Sequence, residues 1–283
     1  MAKKHNHVLN RKKHPVWITG ILGIYAAITA VPLLYIFVNS FKTYDDIVFK
    51  PLEINPAKWS FNNFVNAWTT MHLDEGFVAN IIFLLISLAI MVFAGSLMGF
   101  AVNIVHSRFL NISYKIIIMV ITIPFQAIMI PIVVLMNRLT MLNSYFWTSA
   151  LFAATAMPIV VFLYAGAMKS LPRELAEAAV VDGCGIYQMY LRIHMPLLKV
   201  ITGTVLIIRG TPVWNDLLIN MITITDPVKK TVIYRLSTFL STRINSWDFV
   251  FGGVLLISLP IIIAFFLLQK AFIAGIAAGA VKG

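Results

Sequence analysis

Acidic and small residues converge on one short stretch of the chain, KSLPRELAEAAVVDGCGIYQMYLRIHMP over 169–196. Pro172 suits the first position of a helix, where its missing N–H is no loss, and Glu174 and Glu177 follow in the first two turns, where the helix dipole favours carboxylates. Leu175, Ala178, Ala179 and Asp182 recur at i, i+3, i+4 and i+7 and share a face, which the two alanines flatten for close approach. Gly183 and Gly185 then stop the helix, and a second pattern, Tyr187, Tyr190, Leu191 and His194, leads to Pro196. Carboxylates beside a flat face are suited to recognition, not to bond-making. The same spacing also suits an interfacial helix that merely anchors a loop at a membrane surface, and physics alone leaves both readings open.

A second constellation lies further on, in IIRGTPVWND over 207–216. Arg209 falls about twelve residues into an apolar run, where an ionised side chain costs at least about 2.5–3.5 kcal/mol, so it has to face protein or water. Pro212 is expected to kink the helix one turn later. Arg209 and Asp216 are seven residues apart and would share a helical face. On one reading that face lines a solute pathway, with Asn215 and Asp216 offering hydrogen bonds and Trp214 an apolar ring. On the other it is a structural polar network. Asn80, Asn103, Gln126 and Asn137 are isolated amides, which either contact a solute or bond between helices.

No catalytic set and no metal site are expected. His194 is the sole histidine near the central stretch and is expected at the surface, and no H-E-x-x-H spacing occurs. Cys184 is the single cysteine, which excludes an intrachain disulfide and a thiolate cluster built from this chain alone.

These residues have to be positioned by an unusually apolar chain. Hydrophobic residues make up 60% and charged residues 12%, with a mean hydropathy of +0.88. A soluble domain carries roughly 25% charged residues, so the composition excludes one water-soluble core and places the chain among polytopic membrane proteins. The net charge of +11 then reports membrane topology and not nucleic acid.

The expected fold is all-α with six spans, at about 16–41, 77–105, 116–136, 145–168, 197–220 and 249–272. They form a single transmembrane domain over 16–276, between a basic tail at 1–15 and a C-terminal tail at 277–283, with residues 169–196 as a loop between the fourth and fifth spans. The first run is too long for a signal-peptide core and is read as a retained helix. Most of the 22 Lys and Arg fall on the side of the N-terminal tail and the central loop, which puts both termini and that loop in the cytoplasm.

With the spans in place, Glu177-Ala178-Ala179, Asp182-Gly183 and Ile193-His194-Met195-Pro196-Leu197 resemble the EAA loop of the membrane subunits of bacterial binding-protein-dependent ABC importers. Pro124 and Pro131 in IPFQAIMIPIVVLMNRL, the LPRELAEAA run, Trp214-Asn215-Asp216, Gln269 and the terminal AGAVKG extend the likeness to the carbohydrate branch, the maltose-type permeases. The resemblance implies that the loop is a coupling helix docking on a cytoplasmic ATPase, with Glu174, Glu177, Ala178, Ala179, Asp182 and Gly183 at the contact. It implies a heterodimer with a second permease, two ATPase subunits that bind the ATP and Mg, and an extracytoplasmic solute-binding protein. It implies a site in the bacterial plasma membrane, with no cofactor in this chain. The absence of a G-x-x-x-x-G-K-[ST] phosphate loop agrees with an ATPase supplied in trans. Permeases for other solutes, such as glycerol phosphate, resemble the same pattern. An ion-coupled transporter would need intramembrane relays beyond Arg209 and Asp216, and an intramembrane enzyme a converging nucleophile and base, which the sequence does not offer.

Overall fold

The computed structural model describes residues 16–105, 107–242 and 246–280, and every regular element among them is helical. The expected basic tail at 1–15 lies outside the described residues, as do 281–283 of the expected C-terminal tail; its first residues, through Ala280, continue the last helix. Helix α1 (Val16–Asn39) is followed by short α2 (Tyr44–Phe49) and α3 (Asn62–Thr70), then by α4 (Leu73–Ile104), α5 (Arg108–Met119), α6 (Phe125–Arg138) and α7 (Tyr145–Lys169). The central stretch holds α8 (Glu174–Val181), α9 (Ile186–Gln188), a π-helical turn (Met189–His194) and α10 (Met195–Leu197). Last come α11 (Lys199–Trp214), α12 (Leu218–Thr223), α13 (Val232–Thr242) and α14 (Trp247–Ala280).

Uncharged runs in lipid have to satisfy every backbone group internally, which is why they become helices. Four helices, Trp17–Asn39, Leu73–Ile104, Tyr145–Lys169 and Trp247–Leu267, charged only near their ends, are long and apolar enough to cross a bilayer, and two bent pairs bring the total to as many as six.

Both bent pairs correct the expected spans. The third is not continuous over 116–136: α5 and α6 meet at 110°, because Pro124 forces Ile123 into extended backbone (φ −88°, ψ 115°). The fifth does not run straight from 197 to 220. It bends by 71° at Leu198 and stops at Trp214. Pro212 therefore lies in the last turn of α11 and not at a kink in its middle.

The core is built on α4 against α7. Gly95 and Gly99 stand four apart on α4, and a Cβ on Gly99 would lie 2.9 Å from Tyr164 Cβ and 3.0 Å from the Ala165 nitrogen. Small residues at this spacing let two backbones approach where lipid supplies no hydrophobic drive. Asn103 Nδ2 donates across the same contact to the Ala165 carbonyl at 3.1 Å. A second apolar cluster, with Ala67, Met71, Val232, Phe239 and Val250, packs α3 and α13 onto α14. Helix α1 is exposed along most of its length and meets the rest through its C-terminal end, where Asn39 is buried, the Phe37 ring packs edge-on to Trp59 and the Tyr35 ring lies 5.8 Å from Phe251.

Candidate functional site: the central loop and helix α11

Helix α8 is a two-turn helix closed by a well-defined cap. Gly183 has φ +75°, its N–H donates to the Val180 carbonyl at 3.0 Å, and the Cys184 N–H reaches back to the Ala179 carbonyl at 2.9 Å. This pair of bonds is a Schellman cap, and it requires the left-handed residue that glycine supplies without strain. Nothing lies within 4 Å of where a Gly183 Cβ would be, so backbone conformation alone selects glycine there.

Of the four residues expected to share a face, Leu175, Ala178 and Asp182 are exposed and only Ala179 is buried. Glu174, Glu177, Ala178 and Val181 recur at i, i+3, i+4 and i+7 and all point outward, with Val181 86% exposed. Ala179 faces the other way and is 3% exposed, within the cluster that includes Met168, Met189 and Leu198. The two alanines thus divide the work: Ala178 presents a small outward surface and Ala179 lets α8 sit close on its own chain. Asp182 is exposed at the helix end.

The following π-helical turn fastens this unit to α4. Tyr190 Oη and Ser96 Oγ are 2.7 Å apart, and the Phe100 ring meets Tyr190 and His194 at 5.3 and 5.0 Å. His194 is 4% exposed, with Nδ1 3.2 Å from the Met189 carbonyl oxygen, which corrects its expected surface placement. Tyr190 and His194, four residues apart in this turn, both meet Phe100.

Helix α11 does not bring the second constellation together. Asp216 lies beyond its end, and its Oδ1 accepts the Ile219 and Asn220 N–H groups at 2.8 and 3.1 Å, capping the start of α12. The expected shared face of Arg209 and Asp216 is therefore absent. Trp214 is 5% exposed and donates from Nε1 to the Ile257 carbonyl at 3.2 Å. Asn80 is 1% exposed, donating from Nδ2 to the Trp214 carbonyl and accepting the Val232 N–H on Oδ1, both at 2.9 Å. It is a staple between α4, α11 and α13. Asn215 is exposed and bonds back to the Thr211 carbonyl, and Gln126 is exposed in the first turn of α6, away from the others. Asn137 is exposed near the end of α6.

A groove of about 1060 Å³ runs between α4, α11 and α14, lined by apolar side chains such as Leu88, Val92, Leu206 and Phe265, with Gly210 and Trp214 along one wall. Arg209 is half-buried on a different side of α11. Its Nε is shielded from solvent and has no hydrogen-bond partner among the described residues. No group of three or more His, Cys, Asp and Glu among the described residues is placed to hold a metal ion.

The opposite end of the bundle carries a network that sequence reading missed. Asn143, with φ +60°, accepts the Thr225 and Asp226 N–H groups on Oδ1, and Lys229 Nζ donates to its carbonyl at 2.9 Å. Arg235 pairs with Glu75 at 2.7 Å. Lys230 is buried, bonded to the Asn220 and Ile224 carbonyls at the end of α12 and 3.8 Å from the Tyr234 ring centroid; burial pushes its ammonium below the ordinary lysine range. Only the left-handed residue, an asparagine in a short polar turn, marks this network in the sequence.

A family model described as binding-protein-dependent transport system inner membrane component matches residues 91–277. The melibiose/raffinose/stachyose import permease of Bacillus subtilis is 32% identical, over 94% of this chain and 96% of its own length. An arabinooligosaccharide transport permease of Halalkalibacterium halodurans is 28% identical, over 97% and 100%. A probable permease for starch degradation products from Thermoanaerobacterium thermosulfurigenes is 30% identical, over 96% and 99%. Among solved structures, a bacterial ABC transporter involved in alginate import superposes with a TM-score of 0.59 over 92% of this chain and 95% of that one, at 15% identity, a likeness of fold.

Proposed function

The chain belongs to the family of binding-protein-dependent transport system inner membrane components, multi-pass proteins of the bacterial inner membrane, and on that premise we propose that it is one permease subunit of an ATP-driven carbohydrate importer. The relatives named for melibiose, arabinooligosaccharides and starch products span nearly the whole chain, which supports an oligosaccharide as cargo. In this reading a second permease completes the pathway, two cytoplasmic ATPase subunits bind and hydrolyse ATP with Mg, and an extracytoplasmic solute-binding protein delivers the sugar. The chain itself contributes no catalytic group.

The observation that carries the coupling role is α8. Its outward face combines two carboxylates with Ala178 and Val181, while Ala179, Tyr190 and His194 lock its inner side to the core. A surface that is both exposed and rigidly attached transmits force. Glu174, Glu177, Ala178 and Asp182 meet the ATPase, Ala179 seats the helix and Gly183 fixes its end. The orientation follows from α4. Asn80, bonded to Val232, and Phe100, edge-on to His194, stand twenty residues apart on one helix, about 30 Å at 1.5 Å per residue and so about one hydrocarbon thickness. The α12–α13 connection and α8 therefore lie on opposite faces, with α8 and both termini cytoplasmic by the Lys and Arg bias.

Helix α11 supplies one wall of the apolar groove, with Trp214 the side-chain candidate for the solute pathway there, and Arg209 is a candidate only for a path on the other side of that helix. Asn80, Asn215 and Asp216 hold that helix and its neighbours in place, and Gln126 stands at the broken α5–α6 span. Copurification tests the coupling role: Glu177→Lys is expected to cut recovery of the ATPase with the permease and to abolish sugar uptake. Full ATPase recovery together with unchanged uptake would sink the assignment.

A further inference from the structure

The end of the bundle opposite α8 holds a pocket of about 390 Å³, between the end of α3, the α12–α13 connection and α13. Small-molecule sites enclose about 300–1,000 Å³, so this one suits a small ligand. Its walls are held in place. A Cβ on Gly76 would come within 2.9 Å of Arg235 Cδ, so glycine lets α13 lie against α4, and Asn80 ties the start of α13 to the same helix.

The two cations on the wall are already committed. Arg235 pairs with Glu75 and donates to the Pro227 and Lys230 carbonyls at 2.7 and 3.1 Å. Lys230 donates to the Asn220 and Ile224 carbonyls and lies over the Tyr234 ring. What remains is neutral. The Thr70 and Tyr234 hydroxyls have no hydrogen-bond partner among the described residues, and Met71 and Phe239 add apolar surface beside them. Free hydroxyls next to apolar contact match a ligand with hydroxyl edges and C–H faces.

The larger groove between α4, α11 and α14 offers such a ligand much less. Its lining is largely apolar, and Tyr190, Thr202 and Trp214 are already bonded to Ser96, Tyr164 and the Ile257 carbonyl. Sugar hydroxyls held there would lose water without gaining partners.

We propose that the outer pocket is an entry subsite for a neutral saccharide, whose hydroxyls bond Thr70 and Tyr234. This deepens the carbohydrate-importer reading and rests on it, including its placement of this end outside the cell.

The test uses the complete importer in cells fed a panel of neutral di- to tetrasaccharides, raffinose, maltotriose and arabinotriose among them, with accumulation read by mass spectrometry. Tyr234→Phe and Thr70→Val, which remove one hydroxyl each, are expected to lower uptake by about two- to tenfold, the worth of a neutral hydrogen bond, and by different factors across the panel. On the wild-type importer, a diazirine derivative of an accumulated saccharide is expected to label the peptides holding Thr70 and Tyr234. Unchanged uptake in both variants overturns the proposal, as does labelling confined to other segments, and either leaves the carbohydrate reading intact. Equal loss across the panel, restored by excess solute-binding protein, overturns it in favour of a protein contact at the pocket. A wild-type importer that accumulates no saccharide overturns the carbohydrate reading and this proposal with it.

Discussion

At Gly183 the left-handed backbone and the open surroundings separate two effects that usually arrive together. Because nothing lies within 4 Å of its Cβ direction, Gly183→Ala strains only the φ +75° turn, at a cost of about 1–2 kcal/mol. Gly185, with φ −66° and equally open space, carries no such strain. Purified importers are expected to assemble in both cases, with sugar-stimulated ATPase activity reduced in Gly183→Ala and normal in Gly185→Ala. Asn80 is the other residue whose role is sharply defined, since its amide satisfies two backbone groups inside the bundle. Asn80→Ala leaves both buried and unpaired, at roughly 1–3 kcal/mol each, and thermal unfolding of the purified complex should begin at a visibly lower temperature. An unchanged midpoint would mean that other acceptors or water replace the amide.

Among the elements, α4 and α7 carry the fold. A larger side chain at Gly99 has to displace the Tyr164 and Ala165 backbone, so Gly99→Leu is expected to abolish accumulation of folded subunit. Gly20, in exposed α1 with nothing within 4 Å, should accept the same change with normal expression in membranes. The apolar runs and the EAA-type stretch were legible from sequence, because lipid solvation forces long uncharged runs into helices and the Pro-Glu-Gly order marks where α8 begins and ends. Span geometry was less so. Pro124 was read inside a continuous span over 116–136, so neither the break nor its 110° angle was foreseen, and nothing in the period of 189–194 distinguishes a π-helical turn from an α-helical one. Ala179 was placed on the contact face with Ala178 because the alanine pair fits either side of a two-turn helix, and only the core beneath it decides which alanine is buried. For the same reason Asp216 was assigned to a helical face: its capping role exists only once α11 stops at Trp214.

For the molecule as a whole, α4 works as the strut between two ends with different tasks. One end holds the Asn143, Lys230 and Arg235 network around the α12–α13 connection, and the other holds the α8 unit through Tyr190 and His194. The α8 unit is joined to α4 by packed rings and a buried hydroxyl pair, and to α11 across the 71° bend at Leu198. Under the proposed coupling role, a power stroke delivered to α8 would be expressed through these contacts in α4 and α11. The decisive measurement is site-specific photo-cross-linking of the assembled importer in membranes. A photoreactive residue replaces Val181, 86% exposed on α8, or Val228, 55% exposed in the α12–α13 connection. Adducts with the ATPase subunit from position 181, and none with it from position 228, are the expected result. ATPase adducts from position 228, or adducts with the solute-binding protein from position 181, would contradict both the coupling role of α8 and its cytoplasmic placement.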